Sequence, residues 1–190
     1  MILGFHSIIG MYGFWLPNDP RGSGSDYVAN YELYRYGRAT KTTSRRSVAA
    51  VPHDHGARLA AKETLDWPAV KLAGKQRQQI VAGFAKACEQ SGYVLHACAV
   101  VPDHVHLVIG PHEREIRLIV GHLKGQATLA LKRSGIWPNA ERPVWGDHGW
   151  NIYLDSLSDV RRAIRYVEQN PIKEGFPKQE WDVVTPYVQR

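Results

Sequence analysis

Two histidines one residue apart are the first residues of this sequence whose types and spacing could do chemistry. His104 and His106 stand in a short apolar stretch, residues 100–110 (VVPDHVHLVIG), that has the pattern of a β-strand. Successive side chains of a strand point to opposite faces, so the two imidazoles share a face and lie about 6–7 Å apart. Two imidazoles at that spacing can bind one metal ion. The alternative is a hydrogen-bonded structural pair, and the histidines alone leave both interpretations open.

A tyrosine and an asparagine later in the chain could complete such a site. Tyr166 and Asn170 are four residues apart in a segment with helical periodicity, so they lie on one face of the expected helix. An amide oxygen and two imidazoles give mixed nitrogen and oxygen ligands, which suit Mg²⁺ or Mn²⁺ better than a structural Zn²⁺. Tyr166, one helical turn away, could then attack a phosphate. Each residue alone also fits an ordinary helix, with Asn170 as its last residue before Pro171.

The composition fits one globular domain with a nucleic-acid partner. The chain has 190 residues, is 44% hydrophobic and carries a net charge of +6, which allows one sizeable core. A basic balance favours a polyanion as partner, and nucleic acid is the usual one. No apolar run is long enough to span a membrane, and the apolar start has no basic region or cleavage site of a signal peptide. We therefore expect a single cytoplasmic domain, residues 1–190, that does not contact a membrane.

The helices and strands that must position these residues alternate along the chain. Helical periodicity covers residues 71–91, 114–133 and 156–170, and strand patterns cover residues 3–12, 93–101, 104–110 and 145–154. The β-α-β-β-α-β order predicts an α+β fold, the ferredoxin-like split βαβ sandwich with a four-stranded antiparallel sheet under two helices. Strand 93–101 is apolar on both faces, so we expect it to be central. The C-terminal helix that carries Tyr166 is additional, and it comes near the histidines if it lies across the open sheet face.

A polar and basic insertion at about residues 17–70 follows the first strand. Within it, residues 35–46 contain five basic side chains and no acid. Over the wider stretch 27–47, four tyrosines are interleaved among basic residues: Tyr27, Tyr31, Tyr34 and Tyr36. Such a stretch can bring cations to phosphates and aromatic rings to bases, although a solvated loop is the alternative. The candidate DNA-binding residues are Tyr34, Arg38, Arg45 and Arg46 in the insertion, and Lys124 and Arg133 on the second of the three helices.

The combination of these motifs resembles a known family. His104-Val105-His106 matches the HUH motif, in which U is a hydrophobic residue, and residues 166–171 (YVEQNP) place an asparagine four residues after a tyrosine. Further similar stretches are residues 12–22 (YGFWLPNDPRG), 101–104 (VPDH) and 123–125 (LKG), so the resemblance covers most of the chain. The sequence is similar to the single-tyrosine HUH transposases of insertion sequences that move as single strands. Asn170 at this place is more like their REP-associated branch, and the adjacent Gln169 is an alternative metal ligand.

This resemblance implies a mechanism and a substrate. His104, His106 and Asn170 would hold one Mg²⁺ or Mn²⁺, and Tyr166 would attack the scissile phosphate to give a 5′-phosphotyrosine and a free 3′-hydroxyl. A free tyrosine has a pKa of about 10 and needs activation, part of which the metal can supply. No obvious general base shows in the sequence, and His148 and Asp103 are candidates only on paper. The substrate would be single-stranded DNA or a DNA hairpin, and the protein would act as a monomer or a homodimer.

Two other functions fit parts of the pattern. A related protein could bind repeat elements as a regulator without cleaving DNA. A zinc hydrolase acting on a small molecule could use the histidine pair, but no third strong ligand is evident and the basic insertion would have no role. A metal-dependent single-stranded DNA endonuclease and strand transferase is therefore our principal expectation.

Overall fold

The computed structural model describes residues 1–14, 33, 35–36, 52 and 54–188. Its helices and strands are β1 (Gly4–Met11), α1 (His55–Glu63), α2 (Gly74–Ser91), β2 (Leu95–Val100), β3 (His104–Ile109), α3 (Ile116–Arg133), β4 (Trp145–Leu154) and α4 (Leu157–Lys173). The predicted order of strands and helices is therefore confirmed, and α1 is an additional helix within the insertion. No helix within these ranges is both long and apolar enough to cross a membrane.

The chain contains two compact units, and the boundary between them falls inside β1 and inside β4. The first comprises Met1–Ile8, Leu72–Arg142 and Asn151–Arg190, and the second comprises Ile9–Lys71 and Pro143–Trp150. In the second unit, Leu33 and Ala61 of α1 are buried together, with Tyr36 and Leu65 packed against them. The histidine pair and Tyr166 belong to the first unit.

The four strands form one sheet in the order β2-β3-β1-β4. β2 and β3 are an antiparallel pair, in which Ala99 lies opposite His106 and Val100 lies opposite Val105. This order confirms the α+β fold with a four-stranded antiparallel sheet. It also makes β1 the second neighbour of β3, the strand that carries both histidines.

β2 is an edge strand, so the expectation that strand 93–101 is central is wrong. The segment after α4 covers its outer edge through an isolated parallel bridge between Leu95 and Val184. Further along the strand, the side-chain amide of Gln179 accepts a hydrogen bond from Val100 N and donates one to Val100 O, both at 2.8 Å. The backbone groups of an exposed edge need such partners. Burial of β2 therefore comes from helices on its faces and a peptide segment along its edge.

The face of the sheet that carries the histidines is covered by α4. Val108 has the same strand parity as His104 and His106, and it belongs to a buried apolar cluster shared by the sheet and α4. The other members of this cluster are Ala97, Ala99, Leu154, Val160, Ala163 and Val167. The tyrosine helix therefore lies across the open sheet face, which is the placement under which it was expected to come near the histidines. The opposite face of β3 is also buried. It carries Val105, Leu107 and Ile109, which are fully buried.

α4 begins as predicted but ends later. Ser156 is its N-cap, and its hydroxyl accepts a hydrogen bond from the backbone N–H of Asp159 at 3.2 Å. The helix was expected to end at Asn170, before Pro171, but it continues to Lys173 with the proline inside its last turn. A proline removes one helical hydrogen bond, which is tolerated here because the following N–H groups still bond back, for example from Phe176 N to Pro171 O at 2.8 Å.

Candidate active site

Side chains from β3 and α4 meet on the histidine face of the sheet. The ring centroids of His104 and His106 are 4.8 Å apart, and the ring of Tyr166 is 5.4 Å from that of His106. The helical spacing places Asn170 one turn further along α4 on the same side. The structure thus brings together residues that lie some sixty positions apart in the sequence.

Asn170 has a buried side-chain oxygen that is available to bind a metal ion. Only 6% of its surface is exposed, and its Oδ1 is buried without a hydrogen-bond partner among the described residues. Buried acceptors almost always have a partner, so an exception points to a missing ion or molecule. An amide oxygen beside imidazole nitrogens is a donor set that accepts a divalent cation such as Mg²⁺ or Mn²⁺. The residues present therefore fit the metal that the sequence predicts.

Asp103 fixes the orientation of His104. Its Oδ1 lies 2.8 Å from Nδ1 of that histidine. A carboxylate can only accept a hydrogen bond, so Nδ1 carries a proton and Nε2 is the nitrogen that can bind a metal ion. This is the arrangement in which a carboxylate orients a metal-binding histidine. The contact gives Asp103 a role different from the general base considered from the sequence.

His6 of β1 is a third histidine at this site, and the sequence pattern did not reveal it. Its Nε2 lies 3.2 Å from Nδ1 of His106. Its ring centroid is 5.7 Å from that of Tyr166. The available signal was a histidine in a first strand that is mostly apolar (GFHSIIGM). That signal acquires meaning only when β1 is known to lie beside β3.

The histidines that touch each other are held in their neutral form. Burial lowers the pKa of His6 to about 4. Burial, and then the charges of His104 and His6, hold the pKa of His106 well below its ordinary value. Neutral imidazole is the form that binds metal ions. Near neutral pH His6 and His106 therefore offer lone pairs rather than positive charges.

Tyr166 is accessible but not activated by the protein alone. It is 43% exposed, which leaves its ring open to a substrate. Burial of the rest of the side chain, and then the carboxylate of Glu174, raise the pKa of its phenol above the ordinary value. The ammonium of Lys173 lies 5.1 Å from the ring centroid and is the nearby cation on the same helix. The phenol is therefore protonated near neutral pH and needs an added positive charge to become a nucleophile.

The other predicted residues lie elsewhere. Gln169 is exposed, whereas Asn170 is buried, so the geometry favours Asn170 as the ligand. Lys124 and Arg133 lie on α3, which packs mainly against α2, while Tyr166 lies on α4. The remaining candidate DNA contacts, Tyr34, Arg38, Arg45 and Arg46, are outside the described residues. Among the residues that the structure describes, no group of three or more His, Cys, Asp or Glu side chains could hold a metal ion, so a third ligand would have to be of another type, such as the amide of Asn170.

The comparison with protein families identifies the class of protein. Residues 70–170, more than half of the chain, match the family described as "Transposase IS200 like". The chain therefore belongs to the IS200-like transposase family. The matched region begins before α2 and ends at Asn170, so it contains both histidines of β3 as well as Tyr166 and Asn170 of α4.

Two proteins similar to this chain carry the name of one branch, the REP-associated tyrosine transposases. A protein of Haemophilus influenzae that carries the name REP-associated tyrosine transposase is 23% identical over an alignment of 103 residues, and the alignment covers 50% of this chain and 58% of that protein. The match thus spans little more than half the length of that relative. A solved structure of a REP-associated tyrosine transposase bound to a REP hairpin aligns with 95% of this chain and 74% of its own, with a TM-score of 0.51 and 16% identity. At this identity the likeness shows the shared fold.

Proposed function

We propose that this protein is a metal-dependent single-stranded DNA endonuclease and strand transferase that acts on DNA hairpins through a 5′-phosphotyrosine intermediate. The observation that carries the proposal is the meeting of an exposed tyrosine with a buried histidine cluster, 5.4 Å between the rings of Tyr166 and His106. The unpartnered Oδ1 of Asn170 on the same helix supports a cation beside them. Membership of the IS200-like transposase family supports DNA cleavage and rejoining.

His104, His106 and Asn170 are the proposed ligands of Mg²⁺ or Mn²⁺. When bound, the cation supplies positive charge that favours the phenolate and the developing charge on the phosphate. Asp103 holds the first histidine so that its Nε2 lone pair is available. The side chain of Asn170 contributes a neutral oxygen, which preserves the positive charge of the site better than a carboxylate would.

Tyr166 is the proposed nucleophile. Its phenol oxygen forms a bond to phosphorus, and the bond between phosphorus and the 3′-oxygen breaks. The phenol proton goes to solvent, and the departing oxygen takes up a proton to become a 3′-hydroxyl. The phosphate diester is exchanged for another diester, so a 3′-hydroxyl of a second strand can reverse the step without ATP. Strand transfer needs no further chemical group from the protein.

Hairpin DNA is the proposed substrate. The net charge of +6 favours a polyanion. A protein with the same fold, the REP-associated tyrosine transposase, has been solved with a REP hairpin. We propose the same class of ligand for this chain, with Lys124 and Arg133 as candidate phosphate contacts.

A covalent adduct tests this function directly. The protein is incubated with a hairpin oligonucleotide labelled at its 3′ end, with Mn²⁺ or with EDTA, and separated under denaturing conditions. A metal-dependent labelled protein band is expected, because the 3′ fragment stays joined to the tyrosine through its 5′ phosphate. Hairpin binding without any adduct would instead support a regulator that does not cleave. Adduct on fully paired duplex DNA at equal yield would contradict the proposed substrate.

A further inference from the structure

His6 is a buried histidine to which the proposed reaction assigns no role. It is 7% exposed and lies on β1, the strand next to β3. Its Nε2 is 3.2 Å from Nδ1 of His106, while its ring stands against Tyr166 at 5.7 Å. The same side chain therefore touches a proposed ligand and the proposed nucleophile.

A hydrogen bond between two neutral imidazoles has a direction. One nitrogen must carry the proton and the other must accept it. Because Nδ1 of His106 is engaged with His6, only Nε2 of His106 remains for a metal ion. A nitrogen that binds a metal must keep its lone pair, so the proton of His106 must then be on Nδ1 and be donated to His6. The reverse direction would leave His106 with a proton on Nε2 and no lone pair for the metal.

We infer that His6 is a positioning residue, which accepts a hydrogen bond from Nδ1 of His106 and so holds that ligand in the tautomer that can bind a divalent cation. His6 then plays for the second histidine the part that Asp103 plays for the first. In both cases a neighbouring acceptor keeps the proton on Nδ1. His6 is not assigned as a ligand itself, since no three His, Cys, Asp or Glu side chains among the described residues converge for a metal. The inference rests on the proposed metal site of the proposed function.

The tautomer can be measured in the protein without metal or DNA. Nitrogen-15 NMR of the imidazole rings distinguishes a protonated Nδ1 from a protonated Nε2. In the metal-free protein near pH 7.5 we expect His106 to be protonated on Nδ1, with the acceptor nitrogen of His6 being Nε2. Protonation of His106 on Nε2 would overturn the inference, whatever the activity of the enzyme.

Substitutions of His6 test the consequence for metal binding. His6→Leu removes the acceptor, and we expect Mn²⁺ affinity, measured by calorimetry, to fall about 10–100-fold. His6→Gln places an amide oxygen near the position of Nε2, and we expect it to keep the affinity within a few-fold. His96→Leu is the matched control, because His96 lies on β2 and its Nδ1 bonds to the backbone oxygen of Thr185 at 3.0 Å. Its Mn²⁺ affinity should equal that of the wild type.

The results separate this inference from the function on which it rests. If the wild type forms the adduct and His6→Leu binds Mn²⁺ equally well, the inference fails and the function stands. If the wild type forms no adduct, the proposed function fails, and the NMR tautomer still decides the inference. If His6→Leu does not fold, the comparison of His6→Gln with the wild type and the metal-free NMR measurement remain decisive.

Discussion

At the scale of single residues, the candidate site combines neutral imidazoles with an uncharged amide oxygen. Burial keeps His106 neutral by holding its pKa well below the ordinary value, and Oδ1 of Asn170 has no partner in the part of the chain that the structure describes. A buried acceptor in that condition costs about 1–3 kcal/mol. A bound cation would offset this cost, so the residues are arranged for a positively charged ligand.

Asn170 and Gln169 offer a matched pair of substitutions. A metal that binds only the folded state stabilises it by about 2.7 kcal/mol when the metal concentration is one hundred times its Kd, and this raises the melting temperature. We expect Asn170→Leu to weaken Mn²⁺ binding at least about tenfold, or about 1.4 kcal/mol, and so to reduce this shift. Gln169→Leu, at an exposed position, should retain the full shift. Thermal unfolding with and without Mn²⁺ measures the shift for both variants. If only Gln169→Leu lost the Mn²⁺-dependent shift, Gln169 and not Asn170 would be the ligand.

At the scale of elements, α2 and α3 cross so closely that one position tolerates only glycine. A Cβ added to Gly83 would lie 2.3 Å from the Cα of Ala127. The obstacle is backbone, so the helices would have to separate. We expect Gly83→Ala to lower the free energy of unfolding by about 1–3 kcal/mol, measured by urea denaturation.

Gly121 provides the control for that substitution. It lies inside α3, and an added Cβ would meet no atom within 4 Å. Alanine is a better helix former than glycine by up to about 1 kcal/mol, so Gly121→Ala should stabilise the protein. Equal effects of the two substitutions would show that helix propensity, and not the close crossing, governs both positions.

At the scale of the whole molecule, the segment after α4 completes the first unit. Residues Lys178, Gln179 and Trp181 line one groove together with Val167 and Pro171 of the tyrosine helix. The same segment bonds to β2, so it connects the edge of the sheet to the surroundings of α4. The sequence does not indicate a role for this segment. In the structure it packs beside the tyrosine helix and bonds to the edge of the sheet that carries the histidines.

Gln179 is the residue through which this support can be tested. Its side chain makes both hydrogen bonds to the buried Val100 backbone, and leaving such groups without partners costs about 1–3 kcal/mol. Gln179→Ala should therefore lower the melting temperature by about 2–4 °C for each kcal/mol lost. Glu180→Gln breaks only the exposed ion pair with Lys178 and should change it little. An unchanged melting temperature for Gln179→Ala would show that the segment is not anchored there.

The sequence predicts the parts of this fold that depend on local pattern. The strand of His104 and His106 and the helix of Tyr166 follow from alternation and helical spacing. The sequence also indicates that the additional helix must pack on this core, and that it comes near the histidines if it lies across the open sheet face. These expectations concern segments whose signals lie within a few residues of each other.

Contacts between distant segments were not visible in the same way. A single histidine in an apolar first strand carries no periodic signal, so the place of His6 depends on strand order. The sequence does not reveal the edge position of β2, because a strand that is apolar on both faces can also be an edge strand when a peptide segment covers its outer side. The peptide that covers its edge, with Gln179 at Val100, lies about eighty residues away and has no regular pattern.

The most direct test of the account is the identity of the residue that becomes joined to DNA. Tyr166 stands at the histidines, whereas Tyr153 of β4 is an exposed tyrosine whose ring packs against Phe5 at 5.3 Å. Tyr166→Phe should abolish the Mn²⁺-dependent adduct while keeping hairpin affinity within a few-fold, and Tyr153→Phe should form the adduct like the wild type. Mass spectrometry should find the wild-type adduct on the peptide containing residue 166. An adduct that persists in Tyr166→Phe, or that maps to another residue, would contradict the account.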